Sequence, residues 1–170
     1  MRRHLLLPAL LLLVIPQAAD AQLRVLLGGG FSAPSGSLGD QADPGFHAQA
    51  GLQVTIPTLP LALRGDGGVH SLASAIPDVS ATQITAGSLS LVYFLPGIGL
   101  EPYLLGGYGS YRTKAGSVGA EQTVTENGYH GGFGVAVGGT GLSGFAEVRY
   151  VRMDEPQSRR MIPFTVGLRF

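Results

Sequence analysis

Apolar and polar residues alternate along most of this chain, with the two-residue period of a β-strand. The clearest segment runs from residue 46 to residue 56. One face of it carries Phe46, Ala48, Ala50, Leu52, Val54 and Ile56, and the other carries His47, Gln49, Gly51, Gln53 and Thr55. Because successive strand side chains point to opposite faces of a sheet, this segment predicts a strand with one apolar and one polar face.

Segments of this kind follow one another along the chain and predict an all-β fold of eight strands. They span residues 23–32, 46–56, 61–70, 82–94, 100–112, 129–138, 143–153 and 162–170. Within the fourth segment the apolar positions change parity between Ile84 and Leu89, which indicates a β-bulge near Gly87. The pattern leaves open which faces of the fourth and fifth segments are buried.

The last nine residues form a strand with one continuous apolar face. Every second position up to the end of the chain is large and apolar, namely Ile162, Phe164, Val166, Leu168 and Phe170. Such a strand fits the wall of a membrane barrel, but it also fits the buried edge of a soluble β-sandwich. The connections between the segments help to separate these two alternatives.

The connections between the segments differ in length in a regular order. Those after the second, fourth and sixth segments have about four or five residues, whereas the others are longer and polar, as at 33–43 and 113–127. Outer-membrane barrels show this asymmetry, with short periplasmic turns and long outside loops. A β-sandwich with Greek-key crossings does not require it. The order therefore favours a barrel with surface loops at 33–43 and 113–127.

The composition is unusual for a soluble protein. Only 13% of the residues are charged, 27 of 170 are glycine, and the mean hydropathy is +0.26. After residue 21, no uninterrupted apolar run approaches the roughly 20 residues that a membrane helix needs. High hydropathy without such a run leaves either a soluble all-β core or a barrel that is apolar on its outside.

The first 21 residues have the pattern of a secretory signal peptide. A basic stretch at 2–4 precedes an apolar run at 5–15, and small residues lead up to Ala21. The pattern predicts cleavage before Gln22 and one domain over residues 22–170. That domain has nine basic and ten acidic residues and lacks cysteine. We therefore expect neither a nucleic-acid partner nor a thiolate metal site.

The chain resembles the small eight-stranded outer-membrane barrels of the OmpA-like and OmpX-like class. The features that carry the resemblance are the signal peptide, the alternating strands, the segment Gly144–Tyr150 and the end Thr165–Phe170. The resemblance implies an antiparallel up-and-down transmembrane β-barrel in the outer membrane, with lipid and lipopolysaccharide around it. It also implies periplasmic chaperones and the barrel-assembly machinery as partners, the latter recognising the terminal strand Ile162–Phe170.

Some charged residues have inward parity, which means that they alternate with the apolar residues of the outer face. We expect them to fill the lumen of such a barrel. An eight-stranded barrel has an interior just wide enough for side chains. The inward set contains both signs and consists of Arg24, Arg64, Asp66, Glu101, Glu147, Arg149 and Arg169. Unpaired, each buried charge would cost several kcal/mol. We therefore expect these residues to pair and to plug the lumen, with inward glycines leaving room for the long arginine side chains.

Signals of catalysis or cofactor binding are weak in this sequence. The segment 139–144 matches a dinucleotide-binding pattern by letter, but it does not open a helix in a βαβ unit. His47, His70 and His130 have inward parity, where a hydrogen-bonded structural histidine is more common than a metal ligand. The sharpest enzymatic alternative is a lipid hydrolase at the barrel rim, built from His70, Ser71 and Asp78. We expect no catalytic, cofactor-binding or metal-binding residues.

The expected function is a structural or surface-contact role in the outer membrane, exerted through the loops of a plugged, non-enzymatic barrel. Two alternatives stay open. One is a transporter or rim hydrolase for small apolar or lipid molecules. The other is a secreted soluble barrel that binds a ligand in the manner of lipocalins, which would place apolar residues inside the barrel and polar residues outside.

Overall fold

The computed structural model describes residues 23–40, 42–74, 81–117, 120–138, 141–154 and 159–170. Eight strands account for nearly all of them: β1 (Leu23–Gly36), β2 (Ala42–Ile56), β3 (Leu61–Ser74), β4 (Thr82–Phe94), β5 (Leu100–Ser117), β6 (Ala120–Gly138), β7 (Ser143–Met153) and β8 (Arg159–Arg169). The expected signal peptide, residues 1–21, lies outside the described residues. Within the described ranges, no helix has the length and hydropathy to span a bilayer.

The eight strands form one closed barrel in which every strand is antiparallel to its neighbours. The spatial order follows the chain from β1 to β8, and β8 returns to pair with β1. At the closure, the backbone N–H of Phe170 donates to the carbonyl of Val25 at 3.0 Å. The expected eight-stranded, antiparallel, up-and-down barrel is thus confirmed.

The register shows that the strands are strongly tilted. A row of paired residues that starts at Phe46 on β2 passes through Phe31 on β1 and around the barrel. It returns to β2 at Ile56, ten residues from its start, by way of Phe164, Val148, Phe133, Leu104, Tyr93 and Leu61. A closed barrel needs such a stagger, which tilts its strands by roughly 35–45°. We call the end with Leu23 and Phe170 the terminal end, and the opposite end the loop end.

The outer wall of the barrel is apolar. Phe46 is 79% exposed, and the apolar residues of β8 that alternate with Thr165 and Arg169 also face outward. Five exposed aromatic residues form a band toward the loop end, here called the upper girdle: Phe31, Phe46, Tyr108, Tyr129 and Tyr150. A lipocalin-like soluble barrel would have the opposite facing, so this alternative is wrong. The wall has the character that lipid requires.

The strands extend further toward the loop end than the sequence predicts. Most of the expected loop 113–127 is a ladder between β5 and β6, in which Thr113 pairs with Val124 and Lys114 with Thr123. Much of the expected loop 33–43 likewise belongs to strands, since β1 extends to Gly36 and β2 begins at Ala42, and residues 37–40 form a turn. These predicted loop boundaries were wrong because a strand that projects beyond the lipid no longer needs an apolar outer face, so the alternation fades before the strand ends.

The expected β-bulge near Gly87 was also wrong. Gly87 pairs with Gly67 on one side and with Ser110 on the other, and the register of β4 is unbroken on both sides. The apparent change of parity arises because Ile84 is a buried apolar residue of the interior, whereas Leu89 is 63% exposed on the wall. The sequence left open which face of β5 is buried. The structure shows that Tyr103 and Tyr111 lie on the inward face.

The interior has apolar clusters near both ends. The cluster toward the loop end contains Leu38, Ala42, Leu72, Ile84, Tyr111, Val151, Met153 and Met161. The cluster toward the terminal end contains Leu26, Ala62, Val92, Tyr103, Leu105, Ala136 and Phe145. Polar and charged side chains occupy the space between the two clusters, and they form the candidate site.

Candidate functional site

Four charged side chains meet in the middle of the lumen, and we call them the charged layer: Arg64, Asp66, Glu147 and Arg149. Arg64 and Asp66 lie two residues apart on β3, and Glu147 and Arg149 lie two apart on β7. Residues that are two apart in a strand point to the same face, so both members of each pair share one face of their strand. Because β3 and β7 are four strands apart in either direction around the barrel, the two pairs approach each other across the lumen.

In the charged layer, each arginine contacts both carboxylates. Arg64 donates from Nη2 to both carboxylate oxygens of Glu147, at 2.9 and 2.8 Å, and from Nε to Asp66 at 3.1 Å. Arg149 donates from Nη2 to Asp66 at 2.9 Å and from Nε to Glu147. All four side chains are at most 8% exposed. Two positive and two negative charges therefore neutralise one another in the buried middle of the lumen.

Small inward residues around the layer make room for these long side chains. A methyl group at Gly51 would collide with the carboxylate of Asp66, and one at Gly134 would collide with the ring of Tyr103. At Gly132, the new Cβ would collide first with the backbone carbonyl of Val148 on β7, and it would also approach Cγ of Arg149 to 3.2 Å. The glycines on β2 and β6 thus have a packing role next to the layer.

The remaining charged residues of the expected inward set lie elsewhere, at the terminal end. Arg169 makes an ion pair with Glu101, and its Nε donates to the hydroxyl of Ser143 at 3.1 Å. Arg24 lies close enough to Arg169 and Glu101 to interact with their charges. Since the Glu101 side chain is 53% exposed, this group belongs to the mouth of the barrel. The seven residues thus form two groups.

Several polar residues that join the interior network had no assigned role in the sequence interpretation. Tyr103 donates its hydroxyl to Glu147 at 2.9 Å. The Ser32 hydroxyl lies 3.0 Å from Nδ1 of His47 and 2.8 Å from Nδ1 of His70. A hydroxyl has one proton, so it donates to at most one of the two imidazoles, and at least one ring donates to it from Nδ1–H. The alternation along the first segment already indicates that Ser32 faces inward, but alternation alone does not identify the residues to which its hydroxyl bonds.

The residues of the enzymatic alternative do not come together. His70 is buried inside the barrel, whereas Ser71 is exposed on the outer wall, so their side chains point to opposite faces of β3. Asp78 lies outside the described residues. His130 bonds to Ser90 at 2.7 Å. Across the described part of the chain, no group of three or more His, Cys, Asp or Glu side chains is arranged to hold a metal ion.

The free space beside the charged layer is small. A cavity of about 30 Å³ is lined by Gln49, Asp66, His70, Tyr111 and Arg149, among other residues. That volume has room for about one or two water molecules. The interior can therefore hold an ion-pair network together, but this cavity is too small for an organic cofactor.

The comparison of this chain with known proteins gives one family and several similar structures. A family model described as "Outer membrane protein beta-barrel domain" matches residues 5–170. No curated protein matches the sequence. The structure is similar to the crystal structure of Neisserial surface protein A (NspA), with 19% identity, a TM-score of 0.75, and coverage of 89% of this chain and 98% of that chain.

Two further solved structures share the fold. The N-terminal β-barrel domain of Pseudomonas aeruginosa OprF has 16% identity and a TM-score of 0.55, and the match covers 89% of this chain and 100% of that chain. Ail, the attachment invasion locus protein of Yersinia pestis, has 14% identity and a TM-score of 0.53, with 86% and 98% covered. The TM-scores show a common fold, and at identities this low the likeness extends to the fold alone.

Proposed function

Because the chain belongs to the outer-membrane β-barrel family, we propose that it is a non-enzymatic protein of the outer membrane whose barrel is sealed and presents its loop end for surface contacts. The observation that carries the proposal is the charged layer. Three hydrogen bonds connect opposite walls of the lumen, two from Arg64 on β3 to Glu147 on β7 and one from Arg149 on β7 to Asp66 on β3. An ion or solute that passed through would have to break them.

The energetics support a sealed lumen over an open one. Separating the paired charges of the layer would leave guanidinium and carboxylate groups buried without their partners, which is costly, so the paired arrangement that fills the lumen is strongly favoured. A transporter function would need a path around these residues.

Electrical recording tests the sealed lumen. We predict that the purified protein shows no steady conductance in planar bilayers. A variant in which all four residues of the charged layer are replaced by serine keeps the net charge but removes the long side chains, and we expect it to conduct. Arg152→Ser, on the outer wall, is the matched control and should stay silent.

Two results would contradict the sealed-lumen proposal. Reproducible channel steps with the wild-type protein would show that the lumen is open. A serine variant that folds, as judged by its gel mobility before and after boiling, but remains silent would show that the charged layer is not the barrier.

The proposed contact surface is the hairpin formed by the loop-end parts of β5 and β6. These strands are 18 and 19 residues long, whereas a membrane strand needs only about 9–11 residues. The excess lies beyond the upper girdle, where Lys114, Gln122 and Thr123 are exposed. A rigid paired ladder presents such side chains with less loss of conformational entropy on binding than a flexible loop would.

Assembly of the barrel is proposed to depend on its last strand. The large apolar side chains of the last strand all face outward, namely Ile162, Phe164, Val166, Leu168 and Phe170. A receptor could therefore bind this apolar face before β8 pairs with β1. We propose the barrel-assembly machinery as that receptor and periplasmic chaperones as the earlier partners.

A further inference from the structure

A basic depression lies on the outer wall above the upper girdle. Gln83, Thr85, Arg112, Lys114 and Thr123 line it, and its volume is about 300 Å³. The strand register explains why they meet. Lys114 pairs with Gln83 on one side and with Thr123 on the other, and Arg112 pairs with Thr85. Two cations and three polar side chains from three strands therefore share one outward-facing site.

The depression lies at the depth expected for lipid head groups. Arg112 follows Tyr108 of the upper girdle by four residues along β5. With a rise of about 3.4 Å per residue and a tilt of about 40°, this places Arg112 roughly 10 Å beyond the girdle. Girdle aromatics mark the membrane interface, so the two cations lie in the polar zone of the leaflet.

An apolar groove runs down the wall directly below the basic depression. It is a shallow, open surface lined by Ala48, Ala50, Gly67, Val69 and Thr85, among others. The groove exists because small outward residues meet there: Ala50 pairs with Gly67, which pairs with Gly87. Large residues such as Phe46 and Leu89 project on its flanks. Thr85 lines both the groove and the depression, so the two are continuous.

We propose that this continuous surface binds a phosphorylated, acylated lipid of the surrounding leaflet. The phosphate would lie on Arg112 and Lys114, with the hydroxyls of Thr85 and Thr123 and the amide of Gln83 as further donors. One acyl chain would lie in the groove along Ala50 and Gly67. A guanidinium binds phosphate through two parallel hydrogen bonds, and the groove fixes the direction of the chain.

The membrane location of the barrel and the amphipathic order of the site favour a lipid over a soluble anion. The cations face outward beside the girdle, and the apolar groove continues toward the bilayer centre. A soluble phosphate or a sulfated polysaccharide would use the cations but would leave the groove without a function. The site lies on the outside of the wall, so the proposal does not depend on whether the lumen is sealed.

Native mass spectrometry of the protein released from nanodiscs tests the proposal. The nanodiscs contain phosphatidylcholine with a small fraction of phosphatidic acid, and the fraction of protein that retains phosphatidic acid is compared among variants. We expect Arg112→Gln combined with Lys114→Gln to lower retention about tenfold, since losing charge-assisted hydrogen bonds of about 1.5–3 kcal/mol corresponds to tenfold or more. Arg160→Gln, an exposed arginine of β8, is the control and should retain the lipid.

A second variant tests the groove separately. A Cβ at Gly67 would meet nothing nearer than the carbonyl oxygen of Ala86 at 4.0 Å, so Gly67→Leu should fold and fill the groove. We expect it to lower retention severalfold while Arg112 and Lys114 remain.

Three outcomes would overturn the lipid site. Equal loss with Arg160→Gln would show nonspecific charge attraction. Unchanged retention in Gly67→Leu, together with competition by inorganic phosphate, would show a site for free anions. Binding of heparin that depends on Arg112, without selective retention of phosphatidic acid, would show a polysaccharide site.

Discussion

Replacing Glu147 with alanine is expected to lower the free energy of unfolding by about 3–5 kcal/mol, the usual effect of removing one partner from a buried ion pair. Glu147 accepts hydrogen bonds from Arg64, Arg149 and the hydroxyl of Tyr103. Without it, two buried guanidinium groups share the single carboxylate of Asp66. Unfolding by urea in detergent micelles, followed by circular dichroism, measures the change.

The control for Glu147→Ala is an ion pair of the same chemistry outside the barrel. Arg152 pairs with Asp154 at 3.6 Å, and the two side chains are 51% and 34% exposed. Arg152→Ala should change the free energy of unfolding by less than about 1 kcal/mol. Glu147→Gln, which keeps the shape but loses the charge, should fall between the two. If Glu147→Ala and Arg152→Ala cost the same, the charged layer would not stabilise the fold.

Deleting Phe170 is expected to lower the yield of barrel in the outer membrane about tenfold. The deletion removes the two backbone hydrogen bonds between Phe170 and Val25 that close β8 onto β1. Each such bond contributes about 0.5–1.5 kcal/mol. A tenfold change in yield corresponds to about 1.4 kcal/mol. The deletion also removes the last apolar residue of the proposed assembly signal. Quantitative immunoblots of separated membrane fractions measure the yield, and secretion should be unaffected.

A matched pair of substitutions separates the assembly signal from the effect of a charge in lipid. Leu168 on β8 and Leu52 on β2 are 49% and 55% exposed on the outer wall, and both pair with residues near the start of β1. Leu168→Asp should reduce the outer-membrane yield far more than Leu52→Asp. Equal yields of the two variants, or a normal yield after deletion of Phe170, would contradict a signal in the last strand.

The two-residue pattern was sufficient to predict the facing of most strands. In β2 and β8 the large apolar residues assigned to one face are those that the barrel presents outward. This worked because the same solvent, lipid, contacts every strand in the middle of its length. It failed where that condition ends, as in the ladder around Thr113 and Val124 and in the apolar interior around Ile84.

The sequence could indicate which charges face inward, but it could not pair them. Arg64 and Glu147 are 83 residues apart, and they meet because eight strands close with a stagger that places β3 opposite β7. Parity gives no information about height along the barrel axis, so Arg169 and Glu101 could not be separated from the layer. The basic depression at Arg112 was missed for a related reason, since its residues come from three strands and only the register aligns them.

Cysteine labelling in intact cells tests the orientation and surface display of the barrel most directly. The sequence has no cysteine of its own, so single substitutions report one position each. Gln122 is exposed on the β5–β6 hairpin, and Ile98 is fully exposed in the turn between β4 and β5 at the terminal end. We predict that a membrane-impermeant maleimide labels Gln122→Cys in intact cells but labels Ile98→Cys only after the outer membrane is broken. Equal labelling of both variants in intact cells, or labelling of Ile98→Cys alone, would contradict a barrel that spans the outer membrane with its loop end at the cell surface.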